Sequence, residues 1–148
     1  MLTLAAAGCG GHSGATSAAE QRQWVANAGG VIDQFRRDVE QSTVAGDTIA
    51  SSRAALHDQS DLFALLLAYT DFGGCAKMVD NLGLPAHPFA AAATSLSEAC
   101  GPLERAASLF TRSTSRSDAR SLLAASHEAL AATPLLNRAR FELAAAAR

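Results

Sequence analysis

Apolar residues recur along this chain every three or four positions, and no stretch alternates apolar with polar as a half-buried strand would. Trp24, Ala28, Val31, Phe35 and Val39 form one such stripe. Ser17 followed by Glu20 has the spacing of a capping box, which would start that helix. Gly29 and Gly30 weaken it by about 1 kcal/mol each relative to Ala. The "AGD" at 45–47 predicts a break, with Asp47 capping the next helix. In that second helix Ile49, Leu56, Phe63 and Thr70 are spaced by whole heptads, and Arg53, Ser60 and Leu67 lie between them. The polar "HDQSD" at 57–61 is a place where it would be interrupted. Phe72, Cys75, Val79 and Leu82 carry the stripe on to "NLGLPAHP" at 81–88, whose Gly and Pro content predicts a loop.

Pro88 sits where a first helical turn tolerates proline. Phe89, Ala93, Leu96, Cys100, Leu103, Ala107 and Phe110 then alternate steps of four and three, the clearest heptad seam in the chain. Pro102 lies within it and predicts a kink near Glu98. "TRSTSRS" at 111–117 reads as the third loop, with Ser117 capping a last helix. The seam expected there is Leu123, Ser126, Leu130, Asn137, Phe141 and Ala144, kinked or split at Thr133-Pro134.

Four helices joined by short connections must run antiparallel to their neighbours. The expectation is an all-α, up-down-up-down four-helix bundle. The alternative splits the second helix near Gln59 or the fourth near Pro134, giving five or six shorter helices. Alanine at many seam positions predicts close packing with little room for a large cofactor.

Composition agrees with this pattern. Of 148 residues 49% are hydrophobic but only 5% aromatic, so alanine and leucine dominate the apolar content. The net charge of −2 draws the chain to no polyanion, so no nucleic-acid partner is expected. Residues 1–103 carry ten acids against five bases and residues 104–148 four against seven. The basic C-terminal part reads as a solvated helix face. Arg112, Arg116 and Arg120, four apart, would form a basic stripe there only if they share one helix.

Catalytic chemistry is hard to find. No Glu is followed three residues later by His, as di-iron bundles require. No Cys-x-x-Cys-His, His-Glu-x-x-His, phosphate-binding loop or EF-hand loop occurs. "GHSGA" at 11–15 misses the nucleophile-elbow pattern because its second Gly comes one place early and no strand precedes it. His57 and Asp61 stand at i, i+4 and would share a helix face, but two ligands do not make a metal site. His87 lies in the loop, His12 near the N-terminus, and His127 points away from its neighbour Glu128. Met78 has no matched His and reads as a packing residue. The expectation is no catalytic residue, no metal and no cofactor.

The N-terminus is more specific. Ala6-Ala7-Gly8-Cys9 follows an apolar start, and "GGHSGATSAAE" follows it. Small residues before a Cys resemble the lipobox of bacterial lipoproteins, with Ala6 where that motif usually has Leu. The resemblance implies cleavage before Cys9 and its lipidation, leaving a membrane-anchored, extracytoplasmic protein of the cell envelope. Only eight residues precede Cys9 and none is basic, whereas a signal has a basic start and an apolar core of about 7–15 residues. Residues 1–8 are therefore expected to be the remainder of a truncated signal peptide, 9–16 a flexible tether and 17–148 the helical domain. The competing reading is an apolar tail with an incidental Cys.

With Cys9 set aside, Cys75 and Cys100 form an even pair suited to an oxidising compartment. Straight antiparallel helices would leave them staggered by roughly 6 Å along the axis. A bridge then needs a bend at Gly73-Gly74 or Pro102, because bridged Cα atoms lie within about 7 Å. Two free thiols in a cytosolic protein are the alternative. The sequence thus points to a non-enzymatic envelope lipoprotein that acts through helix-surface contacts with a protein or envelope component. A carrier or sensor with a pocket between helices is the second reading. A surface binder would expose an apolar patch of several hundred Å², and a carrier would enclose a cavity of about 300 Å³ or more.

Overall fold

A computed structural model describes residues 17–51, 59–116 and 119–148. The elements are α1 (Ala18–Ser51), α2 (Gln59–Gly73), α3 (Cys75–Asp80), a 3-10 turn (His87–Phe89), α4 (Ala90–Arg116), α5 (Ala119–Leu130) and α6 (Thr133–Ala146). No strand occurs among the described residues.

Contacts between helices fix the directions. Gln34 of α1 donates to Asp71 of α2 at 2.7 Å. Tyr69 of α2 stacks on Phe110 of α4 with ring centroids 4.3 Å apart. Arg105 of α4 pairs with Glu128 of α5 at 2.6 Å, and Ser95 of α4 donates to Glu142 of α6 at 2.7 Å. Arg140 of α6 returns to Asp33 of α1 at 3.3 Å. In each adjacent pair the numbers rise along one helix as they fall along the other. α1 packs against α2, α5 and α6, and α4 against α2, α3, α5 and α6. The protein is an up-down-up-down bundle of four arms, the second and fourth each divided in two.

The divisions have local causes. In the second arm Gly74 separates α2 from α3, its N–H reaching back to both Thr70 and Asp71 carbonyls. In the fourth, Pro134 lies in the first turn of α6, where it has no N–H to continue α5. The split falls close to the expected Thr133-Pro134.

Two expected breaks fall later in the chain than the sequence suggests, with α1 ending at Ser51 and α4 at Arg116. α1 continues through Ala45-Gly46-Asp47, so Asp47 is an exposed residue inside the C-terminal part of α1 and not the first residue of a second helix. Gly46 is buried there by close packing rather than freed for a turn. The other is "TRSTSRS", of which residues 111–116 belong to α4. Thr111, Ser113 and Thr114 each donate their hydroxyl to a carbonyl of the preceding turn, at 3.0, 2.7 and 2.9 Å. These bonds satisfy inside the helix the groups that would otherwise favour a turn. α4 also continues through Pro102. Ser117, the expected cap, lies outside the described residues. The capping box at the start of α1 forms in both directions: Glu20 N–H donates to Ser17 Oγ at 3.2 Å and Ser17 N–H to Glu20 Oε2 at 2.7 Å.

Phe35, Phe72, Ile32, Leu65, Leu96, Leu103 and Leu136 are among the largest fully buried side chains. Trp24 is buried, stacks on Phe89, and donates its indole N–H to the Gly83 carbonyl at 3.2 Å, which ties the 81–86 connection to α1. Gly83 takes φ +72°, a conformation open to glycine at little cost. In α1 the inward residue is Ile32, with Val31 at the edge. Larger shifts occur in α2, where Leu65, Ala68, Tyr69 and Phe72 are inside while Phe63, Leu67 and Thr70 face out. In α5 and α6 the inner line is Leu122, Ala125, Ser126, Ala129, Ala132, Leu136, Ala139 and Leu143. Leu130, Asn137, Phe141 and Ala144 of the expected seam are exposed and Leu123 is half-buried. Alanine lines let the helix axes approach closely, and turning Leu130 and Phe141 inward would push them apart.

Candidate functional site

The residues singled out for chemistry do not converge. Cys9, His12 and His57 lie outside the described residues, as does the side chain of Asp61. His87 and His127 are exposed at distant places, on the 3-10 turn and on α5. Among the described residues no three of His, Cys, Asp and Glu gather as metal ligands would. Met78 packs at the margin of the core. Arg112 and Arg120 stand on different helices, so no single helix carries the basic stripe.

Cys75 and Cys100 do meet, with sulfurs 2.05 Å and Cα atoms 5.3 Å apart. The helix boundary at Gly74 closes the expected stagger. Because α3 starts afresh at Cys75, it is not held to the line of α2.

What stands out is α2, which is apolar nearly all the way round. From Leu62 to Thr70 it carries no charged residue. One face builds the core, and the other leaves Leu62 37%, Phe63 61%, Leu66 53% and Leu67 52% exposed. At 3.6 residues per turn these four span about 140° of the circumference. Thr70 continues the face but donates its hydroxyl to the Leu66 carbonyl at 2.7 Å, so little polarity is offered outward. The four side chains present on the order of 400 Å², as large as the biggest apolar patch on a typical monomer, which is often functional. A helix apolar on every side is ordinarily buried on every side. The heptad reading of 49–70 missed this face because it assigned Phe63 and Leu67 to the core. The uncharged run 62–70, wider than one stripe needs, was the signal available.

Beside this face α1 and α2 frame a hollow of about 520 Å³, with Val44, Ala45, Thr48 and Ala64 along its wall and Arg37 and Glu40 at its rim. Val44 is itself exposed. Farther along the same helix pair, Asp38 faces Asp71. One Asp38 oxygen is buried with no hydrogen-bond partner among the described residues. Burial and then the Asp71 charge push the Asp38 carboxyl up to about 6, against the pull of Arg37. Inside the bundle the Tyr69 hydroxyl lies 3.5 Å from Ser126 Oγ, and burial holds the phenol above its ordinary range.

A larger hollow of about 550 Å³ runs between α1 and the fourth arm, past Asp33, Arg36, Thr43, Leu130 and Asn137. It is a groove open to solvent with a charged rim, unlike the enclosed apolar cavity of a carrier. No helix of the described residues is long and apolar enough to cross a membrane. Set against family models, curated proteins and solved structures, the chain finds no match in any of the three.

Proposed function

We propose that this chain is a non-enzymatic envelope lipoprotein, anchored through Cys9, that acts by docking the outer face of α2 on another protein or envelope component. The observation that carries the reading is the uncharged face of Leu62, Phe63, Leu66 and Leu67, left in water by a helix whose other side is core. The joined Cys75 and Cys100 support an oxidising compartment, where such bridges persist. The placement of the face agrees with a tether at the opposite end. Val44, beside α2, lies roughly 40 Å along α1 from Ala18 at 1.5 Å per residue, so the contact face is carried away from the anchored end.

Two measurements test the proposal. Intact mass of the full-length product, made from its own gene and correct start codon in a native-like host, should show loss of residues 1–8 and an acylated Cys9; an unmodified chain retaining them overturns the anchor. A photo-crosslinking side chain at position 63, in cells, should capture a partner that the same group at position 141 of α6 does not. Capture of nothing from position 63, or equal capture from both, overturns the docking role.

A further inference from the structure

Resting on the Cys9 anchor of that reading, we infer that Leu84 is a lipid-contacting residue. It inserts into the surface of the bilayer that holds Cys9 and stands the bundle upright on it.

The path of the chain places Leu84 beside the anchor. The first turns of α1 and the 81–86 connection share one end of the bundle, where Glu20, Gln23, Trp24, Leu82 and Gly83 line a hollow of about 250 Å³ with Leu84 at its rim. The end of α6 is there too, since Ala147 lines a hollow with Val25 and Ala26. Ser17, which opens α1, is eight peptide links from Cys9, a reach of at most about 28 Å. Exposed Glu20 and Asp80 at this end are matched by exposed Arg22 and Arg148, so no strong field holds it away from lipid headgroups.

Leu84 is 94% exposed. A lone exposed leucine needs no explanation by itself. This one is held outward by its backbone. Gly83 takes φ +72°, and its carbonyl accepts the Trp24 indole N–H at 3.2 Å. The Gly83 N–H donates to the Asp80 carbonyl at 3.1 Å. Pro85 follows, which confines Leu84 to extended backbone and brings no N–H of its own. Leu84 forms the ridge between the Trp24 hollow and a second one beside Val79 and Ala93, and it fills neither. The apolar side chain is thus placed in advance, and few backbone groups beside it lose water on insertion.

One leucine does not hold a free protein to a membrane. Burying its side chain favours insertion by roughly ten- to a hundredfold. The anchor changes what that factor does. It keeps the loop close to the bilayer, so insertion becomes an intramolecular step at high effective concentration. The factor then goes into orientation rather than affinity. With Leu84 inserted at the boundary of headgroups and acyl chains, α1 leads away from the surface and carries the α2 face outward.

The test uses the full chain, acylated in a native-like host and reconstituted into phosphatidylcholine vesicles that contain nitroxide-labelled lipid. A fluorophore attached through His87→Cys, three residues from Leu84, should be quenched at least about three-fold more than one attached through Phe63→Cys on α2. Leu84→Ser should cut the quenching at position 87 at least about three-fold, and Leu84→Phe should preserve it. Circular dichroism and thermal melting establish that each variant is folded. Equal quenching at 87 and 63 overturns the inference, as does quenching at 87 that Leu84→Ser leaves unchanged. Intact mass and flotation of the same samples separate this result from the anchor. A chain acylated at Cys9 that floats with the vesicles yet gives either of those results leaves the anchor standing, whereas a chain that is not acylated overturns both. A photo-crosslinking side chain at position 84, in cells, should yield a lipid adduct. A protein adduct in its place overturns the lipid contact and leaves the docking role of α2 untouched.

Discussion

Gly46 of α1 lies directly against Ser126 of α5, so closely that a β-carbon at position 46 would strike Ser126 Oγ and touch its Cβ at 3.4 Å. This contact brings the first and fourth arms together. Gly46→Ala should destabilise the fold by about 1–3 kcal/mol through overpacking, outweighing alanine's better helix propensity of about 1 kcal/mol. Gly30 has nothing within 4 Å of its would-be Cβ, so Gly30→Ala should stabilise by about 0.5–1 kcal/mol. Ser126→Ala removes the clashing oxygen, and Gly46→Ala should cost markedly less in that background. Urea melts of the four variants test this, and a Gly46→Ala chain as stable as its parent would refute the close-contact explanation.

Asp38 ties stability to pH. Its carboxyl is raised from 3.8 to about 6 by burial first and by Asp71 second. Between about pH 4 and 6 the folded chain keeps a proton that the unfolded chain has lost, so this group adds stability as pH falls through 6 and withdraws it as pH rises. Because Asp38 keeps part of its solvent contact, the effect at neutral pH is discounted to about 1 kcal/mol. Asp38→Asn should be more stable than the parent by that amount at pH 7, and the difference should shrink towards pH 4. A pH-independent difference in denaturant midpoints would argue against a raised Asp38.

Replacing Cys75 and Cys100 together by Ser should cost about 3 kcal/mol, since the bridge spans 25 residues and limits the unfolded chain. Thiol titration of the denatured, unreduced 17–148 chain, which lacks Cys9, purified from an oxidising compartment should find neither Cys75 nor Cys100 free. Two reactive thiols would refute the bridge and weaken the case for export.

On α2, two leucines two positions apart should behave in opposite ways. Leu65 is fully buried, and Leu65→Ala should cost about 2–5 kcal/mol. Leu67→Ser, two residues on and half-exposed, should change folding stability by less than about 0.5 kcal/mol in dilute solution. Equal losses would mean that the outer face is covered within the monomer.

Much of the architecture was legible in the chain. A 3.6-residue period with no alternation specifies helices, because that spacing puts apolar groups on one side of no other regular structure. The Ser17–Glu20 cap, the 81–88 loop, the break near Pro134 and the pairing of Cys75 with Cys100 depend on residues close in sequence or on the antiparallel path of consecutive arms. These are local facts, and they survive whatever the rest of the chain does.

Which stripe goes inside was decided by tertiary structure. In α2 and in α5–α6 several apolar stripes overlap within about a quarter turn, and periodicity cannot rank them. The bundle buries the alanine lines of α5 and α6 because small faces let axes approach, and that leaves Phe141 and Leu130 in water. Gly46 reads as a break by its own propensity, yet Ser126, eighty residues away, makes it a contact. The outer face of α2 emerged in the same way. Its leucines and Phe63 are equally suited to a core, and only the positions of α1 and α4 determined which of them met solvent.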